Sequence, residues 1–486
     1  MTLIKSLLLG SAAGVVAVAS AQAADLPTRK GPVAAEYVRI CSITVAGAPV
    51  VGFVLPGSDT CIKISGYITA QIEGGNLSQG YGYDTFTRTQ YKVDNVYNHV
   101  GNSKGTGAPP YSNTGNATRD SIGYSTRYNL TLDTVSNTAY GPLVGHGEYQ
   151  FNAGGGYDNL QGGSDGGLNE AYLTWAGLTA GKAPSFFSFT GGGYGYANFF
   201  SPDRKGYAQP ELIAYTASFG GGFAATVSVE NPYAPQVAGI NVDPGTYQGY
   251  LGSATENGMR VPDLVAALSV HQAWGMAQVS GVAHNIRATS ALGDGAQLDK
   301  WGYAIDAGVQ FNIPAIAGAT VGVTGAWSRN AIWYSGIPDA MWGENGAVGG
   351  NGQAMAIGDA FYNGPRSGTW ATPEAWSISG YGQIVVNPQI TLQLEGSYGE
   401  VNWSGQGPAS PLFDSKSFVI GGVGHWDPVK NLDFALELFY QDTTNSQPGG
   451  FRRSIVIPGT GGQTTNANWQ GRADGFETRL MITRAF

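Results

Sequence analysis

The stretch "KWGYAIDAGVQFN" from Lys300 changes character at every step. Trp301, Tyr303, Ile305, Ala307, Val309 and Phe311 share one parity; Lys300, Gly302, Ala304, Asp306, Gly308, Gln310 and Asn312 share the other. A period of two marks a strand with unlike faces and excludes a helix, whose apolar positions recur every three to four residues. "CIKISGYITAQIEG" from Cys61 repeats the pattern, with Ile62, Ile64, Ile68, Ala70 and Ile72 opposite Lys63, Ser65, Tyr67, Thr69, Gln71 and Glu73. So do "DSIGYSTRYNLTLD" from Asp120 and "PQITLQLEGSYGE" from Pro388. Alternation sustained over about ten residues is what a wall between lipid and water requires.

A soluble sandwich also alternates, and composition argues against it. Charged residues make up 12% of the chain, about half the usual share of a globular protein. That is too few to coat a soluble surface. Past the N-terminus, no run approaches the roughly 20 apolar residues of a membrane helix. A chain that crosses a membrane without such helices must close its strands into a barrel.

The N-terminus sets the compartment. "MTLIKSLLLGSAAGVVAVASAQAAD" has the basic Lys5, an apolar run from Leu7 to Ala19 and the small-residue site Ala21-Gln22-Ala23. It is expected to be a secretory signal peptide over 1–23, cleaved after Ala23. Residues 24–60 then form an N-terminal periplasmic segment leading into a barrel over 61–486. In an exported chain, two cysteines 20 positions apart, Cys41 and Cys61, are expected to pair. Such a closure stabilises by roughly 3 kcal/mol in the chain-entropy account. The alternative is two unpaired buried thiols; the lack of a His near either cysteine argues against a metal site.

Loop lengths separate a barrel from a sandwich. Sixteen strands are expected near 61–73, 120–134, 144–153, 168–176, 178–188, 211–219, 222–230, 262–271, 274–285, 300–312, 318–328, 373–386, 389–400, 416–426, 431–442 and 473–486. Their connections alternate between short turns, such as Gly220-Gly221 and Asn387-Pro388, and long loops, such as 231–261, 329–372 and 443–472. Short turns on one rim and long loops on the other are the habit of outer-membrane barrels. The fold class is therefore all-β: a 16-stranded antiparallel transmembrane barrel with long external loops. An even strand number leaves both termini on the periplasmic side.

At sixteen strands side chains cannot fill the interior, and a water-filled lumen remains. Solutes would cross it by passive diffusion. Such a lumen needs narrowing, and the third long connection, "FTGGGYGYANFFSPDRKGYAQP" over 189–210, is the segment expected to fold inward. Enzymatic motifs are missing: there is no G-x-S-x-G elbow, no P-loop, and no metal spacing among the five His. No cofactor is implied. The net charge of −9, with basic residues spread thin, argues against nucleic acid as a partner.

Several stretches resemble the alphaproteobacterial general porin family. They are "EYVRICSITVAG" from Glu36 with "PGSDTCIKISGYI" from Pro56, "EAYLTWAGLTAGKAPSFFSF" from Glu170, "GFETRLMITRAF" from Gly475 and "ADLP" from Ala24. The resemblance implies a homotrimeric outer-membrane porin for small hydrophilic solutes, with the 189–210 loop inside the pore. Porins of this kind set acidic residues on the loop against basic residues on the wall. The loop supplies Asp203, followed directly by Arg204 and Lys205. Lys63 and Arg127 take wall positions by alternation, and Lys182 by the "GKAPSFF" match. The transverse field is then either weak or completed by Glu170 and Glu211. Each of these charges could instead be an ordinary solvated lumen residue. Two other functions remain open: a substrate-specific channel for sugar or phosphate, and a structural or adhesive barrel.

The last residues, "TRLMITRAF", alternate to the end. Phe486, Arg484, Ile482, Leu480, Thr478 and Phe476 are expected on the lipid side, with Arg479 and Glu477 toward the lumen. This strand must pair with the one beginning near Ile62 to close the sheet. By the porin resemblance, Phe486 is a mark read by the barrel-assembly machinery.

Overall fold

The computed structural model describes residues 39–45, 48–55, 57–75, 122–155, 163–191, 205–206, 209–231, 237–238, 254–256, 259–290, 294–336, 359–363, 368–403, 414–445, 452–456, 464–468 and 472–486. Sixteen strands form its wall. They are β1 (Cys61–Gly75), β2 (Ile122–Thr138), β3 (Gly141–Gly155), β4 (Gly163–Trp175), β5 (Leu178–Lys182), β6 (Glu211–Gly220), β7 (Phe223–Asn231) and β8 (Asp263–Gln272). The others are β9 (Gly275–Ser290), β10 (Gln297–Asn312), β11 (Thr320–Arg329), β12 (Glu374–Asn387), β13 (Ile390–Asn402), β14 (Ser415–Val429), β15 (Leu432–Asn445) and β16 (Arg472–Ala485).

Each strand pairs antiparallel with the next. β16 returns to β1 with Leu480 opposite Ile72 and Arg479 opposite Glu73, which closes the barrel and removes both sheet edges. Phe486 finishes the seam: its N–H donates to the Gly66 carbonyl at 2.9 Å, and its own carbonyl accepts from Gly66 at 3.2 Å. Its ring stacks on Tyr128 at 6.2 Å. The parity expected for the last strand holds, with Leu480 and Ile482 exposed and Glu477, Arg479 and Met481 buried. Arg484 is exposed, and its Nη1 caps the turn carbonyl of Asn431 at 3.0 Å.

Alternation assigns the faces throughout. On β10, Trp301, Tyr303, Ile305 and Phe311 are exposed, whereas Ala304 and Asp306 are buried. Aromatic pairs gird both rims of the outer face. Tyr303–Trp327 and Trp376–Tyr398 lie toward the long loops; Trp274–Phe311 and Trp426–Phe434 lie toward the short turns. The turn between β4 and β5 is tight, and so is that between β14 and β15, where the strands extend to Val429 and from Leu432. Gly177, at φ 89°, sits where a Cβ would come within 2.7 Å of the Thr216 carbonyl.

One expectation changes here. The fifth strand stops at Lys182 rather than at 188. Pro184 has no N–H for the ladder, and the backbone beyond it is bonded to groups inside the lumen instead. The segment before the barrel is also folded: Arg39–Val45 and Ala48–Val54 form an antiparallel hairpin. Cys41 and Cys61 form a disulfide, with Cα atoms 5.8 Å apart. The expected signal peptide over 1–23 lies outside the described residues.

Candidate pore constriction

Where β5 ends, the chain turns inward along the inner faces of β7, β9 and β10. Ser185 Oγ donates to Glu230 Oε2 at 2.7 Å, and the Phe186 N–H donates to Glu230 Oε1 at 3.2 Å. Ser280 Oγ donates to the Phe187 carbonyl at 2.5 Å. Gln278 Nε2 reaches the carbonyls of both Phe186 and Phe187 at 3.3 Å. The Phe189 N–H donates to Asp306 Oδ2 at 3.1 Å. Its ring occupies space left by Gly308, where a Cβ would come within 2.3 Å. Polar residues on the inner wall thus act as fasteners for a loop backbone that has left the sheet.

A second segment folds inward beside it, from the long connection after β11. A 3-10 turn over Ile332–Ser335 sets Tyr334 edge-on to Phe187, with ring centroids 4.9 Å apart. Phe187, Tyr334, Val265, Val282, Ala304 and Ala331 form one buried apolar cluster. Ser377 Oγ donates to the Ser335 carbonyl at 2.5 Å, and the Gly206 N–H donates to the Trp333 carbonyl at 3.1 Å. Asp359 Oδ1 accepts from the Ile332 N–H at 2.7 Å. His284 bridges two carboxylates, with Nδ1 2.8 Å from Asp263 and Nε2 3.4 Å from Asp359. Tyr334 donates its hydroxyl proton to Asp263. Two segments, not one, lie on the inner wall on the side of β7 to β12, and they are packed against each other.

The wall of β1 to β4 has different surroundings. Part of its inner face is buried, including Thr69, Gln71, Glu73, Ser125 and Asn129, whereas Lys63, Arg127, Asp133, His146, Glu148 and Glu170 are partly exposed. Lys63 stands opposite Asp133, and Arg127 lies six positions farther along β2. Arg127 Nε donates to Asn152 Oδ1 at 2.8 Å. His146 Nδ1 is 2.7 Å from Asp133, and its Nε2 is 3.7 Å from Glu170. Glu148 and Glu170 face each other directly across strands. Glu148 Oε1 accepts from Asn169 at 2.7 Å and from Gln150 at 2.9 Å. At the closure seam Arg479 sits among three carboxylates: Glu477 at 2.5 Å, Glu437 at 3.3 Å and Glu73 at 4.0 Å.

The residues singled out from the sequence fall into four groups. Lys63 and Arg127 are on the lumen register. Lys205 belongs to the inward loop but is fully buried; its Nζ donates to Ser377 and Ser379 at 2.8 and 2.9 Å. It pins the loop to β12. Lys182 and Glu211 are opposite each other in register, and Lys182 also faces Ala171. That parity is shared by the exposed Leu173 and Ile213, so the two charges stand on the outer face. The "GKAPSFF" match carried Lys182 inward; the strand period does not. Asp203 and Arg204 lie outside the described residues. The sequence reading missed His146 and Glu148 as a set with Asp133 and Glu170. Their signal was present in "VGHGEYQ", where polar side chains occupy every second position.

A closed barrel with a polar lumen, crossed by inward loops and built without a catalytic constellation among its described residues, is a membrane channel of the porin class. The chain belongs to the Porin subfamily, whose sequence profile matches residues 25–469. It is 29% identical to the porin Omp2b of Brucella suis over 377 residues, covering 74% of this chain and 83% of that one. It is 28% identical to the porin Omp2a of Brucella ovis over 399 residues, covering 80% and 94%. The crystal structure of the outer-membrane channel DcaP of Acinetobacter baumannii matches 90% of this chain and 99% of its own length, with a TM-score of 0.55 at 16% identity. The protein is an outer-membrane porin channel.

Proposed function

We propose that this porin passes small hydrophilic solutes and ions by passive diffusion, prefers cations, and works as a homotrimer. One observation carries the cation preference. On the lumen register the described wall bears the carboxylates of Glu73, Asp133, Glu148, Glu170, Glu230, Asp263, Asp306, Glu395, Asp433, Glu437 and Glu477. Against them stand only the cations of Lys63, Arg127, Lys300 and Arg479. Low-dielectric walls of one sign concentrate the opposite ion. Of this set, Asp133, Glu148 and Glu170 are the ones with water-facing positions on β1 to β4, and Glu170 also bonds Gln209 at the end of the inward connection.

Purified protein in planar bilayers under a potassium chloride gradient tests the reading. A large ohmic conductance in triplet steps, with a reversal potential on the cation side, is expected. Anion preference would overturn the charge argument. Saturable block by one sugar or by phosphate would turn the assignment to a substrate-specific channel. Folded protein that carries no current would turn it to a structural or adhesive barrel. The trimer follows from the porin resemblance; migration only as a monomer on an unheated gel contradicts it.

Residues 24–60 are proposed to lie on the periplasmic side, since the hairpin within them joins β1 at the short-turn rim. Phe486, which ties the closing strand to Gly66, is proposed to be the residue recognised during barrel assembly. Its deletion is expected to cut trimer yield while leaving the conductance of the assembled fraction unchanged.

A further inference from the structure

The N-terminal hairpin is joined to the wall at one place and touches it at another. Its second strand pairs with the start of β1, Phe53 opposite Ile62 and Val54 opposite Cys61. The crossing is close: a Cβ on Gly52 would come within 2.1 Å of the Ile62 carbonyl. The disulfide from Cys41 to Cys61 fastens the first strand at the same root. Cys61 and its cross-strand neighbour Val135 are fully buried on the lumen register.

The far end of the hairpin is elsewhere. Val45 lines a cavity of about 320 Å3 together with Val144, Thr174, Thr179, Thr216 and Phe186. Val144, Thr174 and Thr179 follow one another across β3, β4 and β5 on the inward register. Thr216 has the parity of the buried Leu212 and Ala214 on β6. Phe186 is at the root of the inward loop. A seven-residue strand is about 23 Å long, and the five strand spacings from β1 to β6 make an arc of about 24 Å. The ribbon therefore runs as a chord beneath the short-turn mouth, from β1 to the inner face of β3 to β6.

Its two faces differ. Cys41, Ile43 and Val45 are half-buried, while Ser42 and Thr44 are exposed and Ile40 is 83% exposed. The exposed face carries no charge between Ile40 and Val54. A two-stranded hairpin is marginal on its own, so the disulfide and the contacts at both ends are what hold it across the opening.

We propose that this hairpin is a second constriction, in series with the loops, that limits solutes by size and leaves ion preference to the charged wall. The inference rests on the diffusion reading above. Two variants of the mature full-length protein test it. In the first, Thr44→Cys is reacted with a polyethylene-glycol maleimide in the bilayer. The native cysteines are bonded to each other and so spared. Conductance is expected to fall by at least half, with the reagent acting from the short-turn side only. Full labelling with no change in current would overturn the proposal. In the second, Arg39–Val54 is deleted together with Cys61→Ser, and folding is checked by heat-modifiable migration on a gel. Conductance and the exclusion limit in a sugar-swelling series are expected to rise, while the reversal potential stays at the wild-type value. A folded deletion variant with unchanged conductance and exclusion limit would also overturn it. An unlabelled channel that carries no current refutes the diffusion reading, and this inference with it.

Discussion

The two halves of the lumen are built from the same kind of strand and end up with opposite properties. Under β7 to β12 the inward polar residues are taken up by the loops: Glu230 holds Ser185 and Phe186, Asp306 holds Phe189, and Ser377 and Ser379 hold Lys205. Across β1 to β4 the inward polar residues hold mainly one another, and Asp133, His146, Glu148 and Glu170 remain in reach of water. An inward charge is therefore a fastener or a filter according to what the long loops do with it. The first kind should affect the stability of the constriction, the second the ions that pass.

The largest effect is expected from Phe187→Ala. Truncating a fully buried ring costs about 3–5 kcal/mol, and this ring joins the two inward loops at Tyr334. Single-channel recordings should show higher conductance with frequent fluctuations; a quiet, wild-type trace would break the picture of two loops locked together. Next comes a pair of matched changes. Glu148→Gln with Glu170→Gln should move the reversal potential toward zero with little change in the temperature at which the folded gel band is lost. Glu230→Gln should do the reverse, lowering that temperature through about 1–3 kcal/mol of lost hydrogen bonding and sparing selectivity. Equal effects of both on selectivity would erase the distinction between the halves.

Arg127→Ala is expected to give a smaller shift, toward stronger cation preference, since it removes one of the few cations on the water-facing wall. A shift toward anions would contradict the sign. The smallest effect concerns the tie between Asp294 and Tyr362. The Tyr362 hydroxyl donates to Asp294 and holds that carboxyl below its usual range. Burial and the same contact push the phenol up to about 12. The folded protein favours the ionised carboxylate, so the tie is at full strength above the ordinary Asp range near 4 and is lost as the pH falls through the lowered value. Loop-gating events should be constant from neutral pH down to about pH 4 and rise only below it in the wild type. An Asp294→Asn variant with the same pH profile would remove Asp294 from the account.

The period of two made the wall legible. All sixteen strands, the closure of β16 on β1 and the faces of Arg479 and Phe486 follow from it, because the pleat ties parity to face. Parity was set aside at two positions, at Lys182 for a sequence match and at Glu211, which shares the outward parity of Ile213. What parity does not carry is the fate of an inward residue. Lys205 gives no sign in sequence that its amine will meet two serines some 172 and 174 positions away. Asp263 and His284 are neighbours across the β8–β9 hairpin, but Asp359 reaches them from the long connection after β11, and the 3-10 turn at Ile332–Ser335 lies in a stretch with no period to read. Loop contacts inside a barrel are long-range and aperiodic, so they leave no local pattern.

The reversal potential of a single channel in a potassium chloride gradient tests the central claim most directly. Wild type is expected on the cation side, and Glu148→Gln with Glu170→Gln close to zero at nearly unchanged conductance. A wild-type channel that prefers chloride, or a double variant that keeps the wild-type potential, would contradict the assignment of the β1 to β4 wall as the ion filter.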